Sequence, residues 1–472
     1  MSTLSSAAEA VPLPPLESGI EQRGIERVMP HERAHVRVFD NFTMWLSANL
    51  VISTVALGAL AVPVFGLGFW DSLGVIVAFN ILGVLPVAFF ATLGPRLGLR
   101  QMTISRYSFG WHGAKIMALF NVAACIGWSA VNVIVGAQIV TAISGGAVPV
   151  WAGILLIAVL TTAVSLYGYR YVHRYERFAW MPMAAIFLIV LFTAGGQMQA
   201  LPTPVWTMAH VASLVSFGGA IFGFATGWSS YAADYNVNQP EDTSAKRVFW
   251  LTFFGVIVPC ILLESLGLGL TTVTAFGKAA QSGGGALLSE ALQPLGGAGK
   301  LLLLLLALSV IANNIPNDYS AGLSMQVLGR GFQKINRAVW TLIGAVVYVI
   351  IAIPSAAHFN ATLENFLLVV AYWLGPWAII LILEHAVFRR GRYDLDHWNT
   401  QSKLPVGWAA VIAMAAGLFG VYLGAAQSLF VGPVAGLFNP PYGMDIGFEL
   451  GVLFAALVYL VLRRIELRGT RR

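Results

Sequence analysis

Charged side chains are scarce in this chain. They make up 10% of its 472 residues against 58% hydrophobic, and the mean hydropathy is +0.76. A soluble globular domain carries about a quarter of its residues as charges, so that class is excluded. Cysteine is scarcer still. Cys125 and Cys260 both lie inside apolar runs, so they form neither a metal-ligand spacing nor a disulfide framework. Basic residues exceed acidic ones by a formal charge of +6, but they are dispersed among short linkers rather than gathered on one face. Nucleic acid is therefore not the expected partner. Catalytic signatures are missing as well. Gly296-Gly-Ala-Gly-Lys300 runs into Leu301 instead of a hydroxyl, so it is no phosphate-binding loop, and no Ser/His/Asp spacing stands out. His31-Glu-Arg-Ala-His35 has the pattern of a zinc protease. It follows Pro30, sits beside Arg33 and Arg37 and lacks a third ligand, so it reads as coincidence. Neither an enzyme nor a resident metal or cofactor is expected.

What the chain has in abundance is apolar runs long enough to cross a bilayer. They fall at about 41–66, 71–94, 115–143, 148–169, 178–197, 211–234, 248–274, 298–325, 337–356, 363–386, 405–426 and 445–463. Residues 1–38 form a polar tail without a cleavable signal pattern, and 465–472 form a short basic tail. Between them, 39–464 reads as one all-α membrane domain of twelve spans. Of 27 Lys and Arg, all but Lys278 and Lys300 fall in the two tails or in alternate linkers. The positive-inside rule then places both termini in the cytoplasm, and the bilayer of a plasma or inner membrane is the expected surroundings.

Function has to come from the polar groups inside these spans, because each costs several kcal/mol, roughly, if left unpaired at membrane depth. The densest group is in 309–320, just after six consecutive leucines at 301–306. Asn313 and Asn317 share a helical face, Asn314 lies one turn before Asn317, and Pro316 is expected to disturb the helix between them. Three amides around a proline suggest a ligand site. Span 1 carries Asn49, Ser53 and Thr54 with Gly58 beyond. Span 6 carries Gly218, Gly219, Gly223 and Gly227, then Trp228, Ser229 and Ser230. Two helices interrupted in this way, five spans apart, are what an inverted-repeat transporter shows at its broken helices. In span 3, Trp128 and Asn132 lie one turn apart. A ring beside an amide suits a flat, hydrogen-bonding heterocycle, stacked on the ring and read at its edge. Span 7 contributes a lone carboxyl, Glu264, and span 6 ends in Asp234. A carboxyl in lipid is protonated, paired or part of a proton path.

Five stretches together resemble the nucleobase–cation symporter-1 family, in its purine–cytosine permease branch. They are Gly24–Arg27, Asp40–Asn49, Thr92–Gln101 with Arg106–Gly110, Ala232-Ala-Asp-Tyr235 and Asn313-Asn-Ile-Pro-Asn317. The resemblance implies a leucine-transporter-like fold. Spans 1–5 (about 41–197) and 6–10 (about 211–386) form inverted repeats, and two helices (about 405–463) are appended. It implies a symporter that imports cytosine or purines such as adenine, guanine and hypoxanthine. Uracil, allantoin, hydantoin, thiamine and pyridoxine are carried by other relatives. It also implies stacking of the base by Trp128 and Trp228, amide contacts from Asn132 and Asn317, and a span 1 contact from Ser53 or Thr54; Asn314 is a candidate from its place in the amide cluster. Sodium-coupled members of this fold use two hydroxyls on span 8, where this chain has Ala312 and Asn313. A hard cation wants oxygen ligands, so H+ is expected rather than Na+, with Glu264 or Asp234 as its carrier. Oligomeric state is not legible.

The charge alternation yields a direct expectation. A reporter fused after Arg472 reads cytoplasmic; a signal from the opposite side of the membrane there would refute the twelve-span topology.

Overall fold

Backbone in a bilayer has no water to bond to, so spanning segments must close their own hydrogen bonds as helices. The computed structural model describes residues 24–33, 37–166 and 169–469, apart from the side chains of 169–177, 312, 330 and 337. The tail before Gly24, residues 34–36 with His35 of the His31–His35 motif, and the last three residues lie outside the described residues.

The first half holds α1 (Asp40–Asn49), α2 (Ile52–Gly58), α3 (Phe69–Ala91), α4 (Leu93–Leu97), α5 (Gln101–Ile104), α6 (Arg106–Ile143), α7 (Val150–Leu166) and α8 (Tyr169–Ala194). The second holds α9 (Met208–Thr226), a 3-10 segment Gly227–Tyr235, α10 (Ala245–Thr271), α11 (Thr274–Ala280), α12 (Gly284–Leu292) and α13 (Gly296–Val327). It continues with α14 (Arg330–Gln333), α15 (Arg337–Ser355), α16 (Phe359–Leu383), α17 (Trp408–Gly424) and α18 (Gly447–Gly469). A two-stranded ribbon, Ala426–Gln427 with Phe430–Val431, caps the link between α17 and α18.

Each of the twelve expected runs contains an α-helix among the described residues. Seven helices there are long and apolar enough to cross a membrane by length and composition. Large apolar side chains such as Val159, Phe192 and Ile350 stand exposed around the outside, where lipid tails replace water. Two sequence expectations need correction. The basic stretch 170–177, read as a linker, is the first two turns of α8. Pro316 does not interrupt its helix, because α13 runs unbroken through it, as α3, α10 and α16 run through Pro86, Pro259 and Pro376. In a packed membrane bundle, neighbouring helices offset the one hydrogen bond a proline removes.

The helices pack in two groups. One is α6, α7, α13 and α15; the other is α1 with α2, α3, α9 and α10. Glycines bring the second group together. A Cβ on Gly58 would lie 1.9 Å from the Glu264 carbonyl oxygen, and one on Gly267 would lie 2.0 Å from that of Val55. Spans 1 and 7 therefore touch backbone to backbone, which no larger residue allows. Gly223 is equally pressed against the Leu367 carbonyl of α16.

Gly267→Val is expected to destabilise the folded protein by about 3 kcal/mol or more, because backbone cannot yield as a side chain can. Gly74→Ala, with nothing within 4 Å of the added carbon, is expected to be neutral. Thermal unfolding of the two variants in detergent checks this; equal midpoints would sink the close-contact argument.

Candidate functional site

Spans 1 and 6 both lose regular α-helical geometry along their length, and the two irregular stretches lie against each other. Span 1 breaks at Leu50 and Val51, whose backbone angles (φ −80, ψ 65 and φ −136, ψ 162) are not helical. Span 6 tightens into 3-10 at Gly227 and leaves helical geometry at Tyr231 (φ −144, ψ 16). Backbone groups freed by a break must find other partners. Thr54 donates its hydroxyl to the Asn49 carbonyl at 2.8 Å, across the span 1 break. Asn49 donates from Nδ2 to the Trp45 carbonyl at 2.8 Å, and its Oδ1 accepts the Trp228 indole N–H at 2.9 Å. The two breaks are thus joined by one side-chain hydrogen bond.

Between the two helix groups lies a small, narrow cavity. Span 1 supplies Ala48, Val51 and Ser53, and span 6 supplies Phe224, Gly227, Trp228 and Tyr231. Trp128 and Asn132 come from α6, and Asn313 and Asn317 from α13. Edge-to-face contacts fix the planes of both tryptophans. Trp128 meets Phe224 and Phe366 at 5.4 and 5.0 Å, and Trp228 meets Trp45 and Tyr231 at 5.4 and 5.5 Å. With its N–H committed to Asn49, Trp228 has only its π-surface to offer a ligand.

The amides form a connected set. Asn132 donates to Asn314 Oδ1 at 3.2 Å and accepts from Asn313 at 3.4 Å. Asn317 donates to the same Asn314 oxygen at 3.4 Å and accepts the Tyr231 hydroxyl at 3.1 Å. Two polar atoms stay unpaired within this set, Asn313 Oδ1 and Asn314 Nδ2. Buried amide atoms are seldom left so, and the Asn313 oxygen belongs to a residue that lines the cavity, where a ligand N–H would satisfy it.

The structure therefore sorts the sequence candidates. Trp128, Asn132, Trp228, Asn317 and Ser53 line one cavity. Thr54 does not; it closes the span 1 break instead. Asn314 is fully buried behind the cavity and acts as the hub of the amide set, while Asn313 takes the lining position. Glu264 is remote from the lining. It is wholly buried between α10 and α3, where Asn80 Nδ2 donates to its Oε2 at 2.6 Å. Asp234 lies beyond the cavity at the end of span 6. Its Oδ1 accepts the Gln101 backbone N–H at 2.6 Å, and its own carbonyl accepts from Arg100 at 2.7 Å. Sequence reasoning assigned no role to Phe224 or Tyr231, although both sit one turn from Trp228 as aromatic residues in a glycine-rich span. It also passed over Asp318, a carboxyl buried within a span next to Asn317.

An all-helical membrane domain with two broken helices enclosing an aromatic and amide cavity defines a secondary transporter. Comparison with known proteins gives the same class. A family described as permease for cytosine/purines, uracil, thiamine, allantoin matches residues 28–450, and the chain belongs to that family. Among its relatives is the purine-cytosine permease fcyB of Emericella nidulans, 46% identical over 462 residues, covering 96% of this chain and 90% of the relative. The purine-cytosine permease FCY2 of Saccharomyces cerevisiae is 40% identical, covering 95% and 86%. The vitamin B6 transporter TPN1 of Saccharomyces cerevisiae is 30% identical, covering 95% and 88%. In fold, the chain matches Mhp1, a nucleobase-cation-symport-1 family transporter in a closed conformation with bromovinylhydantoin bound. The TM-score is 0.73 at 16% identity, covering 94% of this chain and 96% of that one.

The Asn49–Trp228 bond generates a specific expectation. Asn49→Leu leaves a buried indole N–H unpaired and is expected to cost about 1–3 kcal/mol. The cost is expected to shrink when Trp228→Phe has already removed that N–H. Thermal unfolding of the two single variants and the double variant measures the coupling; strictly additive losses would show that the bond contributes nothing.

Proposed function

We propose that this protein imports nucleobases, cytosine and purines foremost, by symport with a cation, and that the cation is a proton. The observation that carries the reading is the cavity itself. Two tryptophans with fixed ring planes face it together with Asn313 and Asn317, so one small space offers both aromatic surfaces and amide edges. A planar ring that presents adjacent donors and acceptors answers both. The names of its relatives support the same substrate class, since those between 37% and 46% identical are purine-cytosine permeases. The relative named for vitamin B6 is more distant, at 30%.

The proton reading rests on α13, where Ala312 and Asn313 stand in place of a hydroxyl pair that would ligate sodium. We include in this reading twelve spans, from the apolar runs, and both termini in the cytoplasm, from the distribution of Lys and Arg, with residence in the plasma or inner membrane.

Uptake of radiolabelled cytosine into proteoliposomes tests substrate and coupling together. Accumulation is expected to follow an inward proton gradient; accumulation driven by sodium at constant pH would overturn the coupling. Trp128→Ala and Trp228→Ala are each expected to weaken cytosine binding by about 1–3 kcal/mol, the worth of one stacking face. Asn317→Ala is expected to abolish uptake, because it removes a group at the cavity and also strips Tyr231 and Asn314 of a partner. Unchanged affinity in all three variants would place the base elsewhere.

A further inference from the structure

Three carboxyls are buried inside the helix bundle, and their partners differ in kind. Glu264 receives its one hydrogen bond from the Asn80 amide, whose Nδ2 also donates to the Ile76 carbonyl at 2.9 Å, while Glu264 Oε1 and Asn80 Oδ1 stay unpaired. Asp234 Oδ1 receives a backbone N–H from Gln101, an obligate donor. Asp318 alone is held by hydroxyls. Ser165 of α7 approaches Oδ2 at 2.7 Å, and Ser129 of α6 approaches Oδ1 at 3.4 Å.

The distinction matters because a hydroxyl both donates and accepts, turning to suit its partner. To a carboxylate the two serines donate. To a carboxylic acid one of them accepts the acid O–H while the other still donates. The same pocket therefore satisfies Asp318 with and without a proton, which the backbone N–H on Asp234 cannot do. Asp318 is 6% exposed and forms no ion pair among the described residues, so no fixed cation locks it in the charged state. The groups that feel its charge are Cys125 on α6 and Tyr348 on α15. Neither α7 nor the described side chains of α8 carry a titratable group.

Its position in the chain supplies the link to the cavity. Asp318 follows Asn317, and Ser129 follows Trp128. Each member of this pair is therefore the backbone neighbour of a cavity residue, one on α13 and one on α6.

We propose that Asp318 takes up and releases the co-transported proton, with Ser129 and Ser165 holding it in both states. On loading, the carboxylate accepts one proton from water on the outer side and becomes a neutral acid; on release, it returns that proton to the inner side as the base departs. The assignment rests on the reading of the protein as a proton-coupled base importer.

The test uses the full chain in proteoliposomes, with radiolabelled cytosine and a pH-sensitive dye trapped in the lumen. The unaltered protein is expected to carry protons inward with cytosine, and accumulation to change about tenfold per unit of imposed pH gradient for one proton per base. Asp318→Asn is expected to lose gradient-driven accumulation and the dye signal while cytosine counterflow continues; Glu264→Gln is expected to keep both. Asp318→Asn accumulating cytosine like the unaltered protein overturns the assignment. Should Asp318→Asn fail to fold, Ser165→Ala decides, since loss of one hydroxyl partner must move the pH at which cytosine binding is half-maximal; an unmoved profile overturns the assignment. An unaltered protein that ignores the proton gradient and follows sodium overturns the coupling reading itself. That outcome is distinguishable, because it needs no variant.

Discussion

The hydrogen bond from the Trp228 indole to Asn49 holds this architecture together at its weakest point. A helix broken inside a membrane exposes backbone groups that lipid cannot satisfy. Here the breaks of spans 1 and 6 lie opposite each other, and Asn49 serves both. It covers a carbonyl of its own helix, at Trp45, and fixes an aromatic of the other, while Thr54 caps its own carbonyl. Cys260 of α10 also points its thiol at the same oxygen, at 3.6 Å. One amide thus ties the span 1 break to span 6 and sets the orientation of a cavity wall.

That arrangement separates polar groups that build the cavity from polar groups left for a ligand. Trp228 has no donor to spare, Thr54 none, and Asn132 bonds at both ends of its amide. The Asn313 oxygen remains, beside the amide of Asn317. Specificity in a dry site comes from unsatisfied groups more than from surface area, because a wrong ligand leaves them unpaired. A cavity with few open hydrogen-bonding positions and two fixed aromatic planes discriminates by edge chemistry and tolerates changes that keep the ring flat.

Much of this was readable in the sequence because membrane spans are a one-dimensional signal. Apolar length gave the helices, and glycine with hydroxyl interruptions gave the two broken ones. Trp128 and Asn132 could be paired because α6 is continuous there and its phase carries from one turn to the next. The span 1 contact could not be resolved between Ser53 and Thr54 for the converse reason. A break resets the helical phase, so neighbours after it cannot be assigned a face from residues before it. Asn313 and Asn314 changed roles for a related cause. They sit about 100° apart on one helix, and which of them faces the cavity depends on where α6 packs, which no single-helix pattern contains. Asp318 stayed hidden because its two serine partners come from spans 3 and 4, far apart in sequence.

The same reasoning assigns Asp234 its place. It sits one turn past Tyr231, at the end of the bundle that carries the basic linkers, and is 3% exposed. Gln101 holds its carboxyl and Arg100 its carbonyl, both from the link between α4 and α6. The Arg100 guanidinium also lies over the Tyr319 ring of α13, 5.7 Å from its centre. These three contacts join span 6 and α13, one from each helix group, directly beyond the cavity. Separating the groups at this end means breaking either the two hydrogen bonds that Asp234 accepts or the cation–π contact. Asp234 is therefore a clasp between the two groups. A clasp has to stay bonded while the cavity is closed, whereas a proton carrier has to change state there, and a backbone N–H donor suits only the first of these tasks.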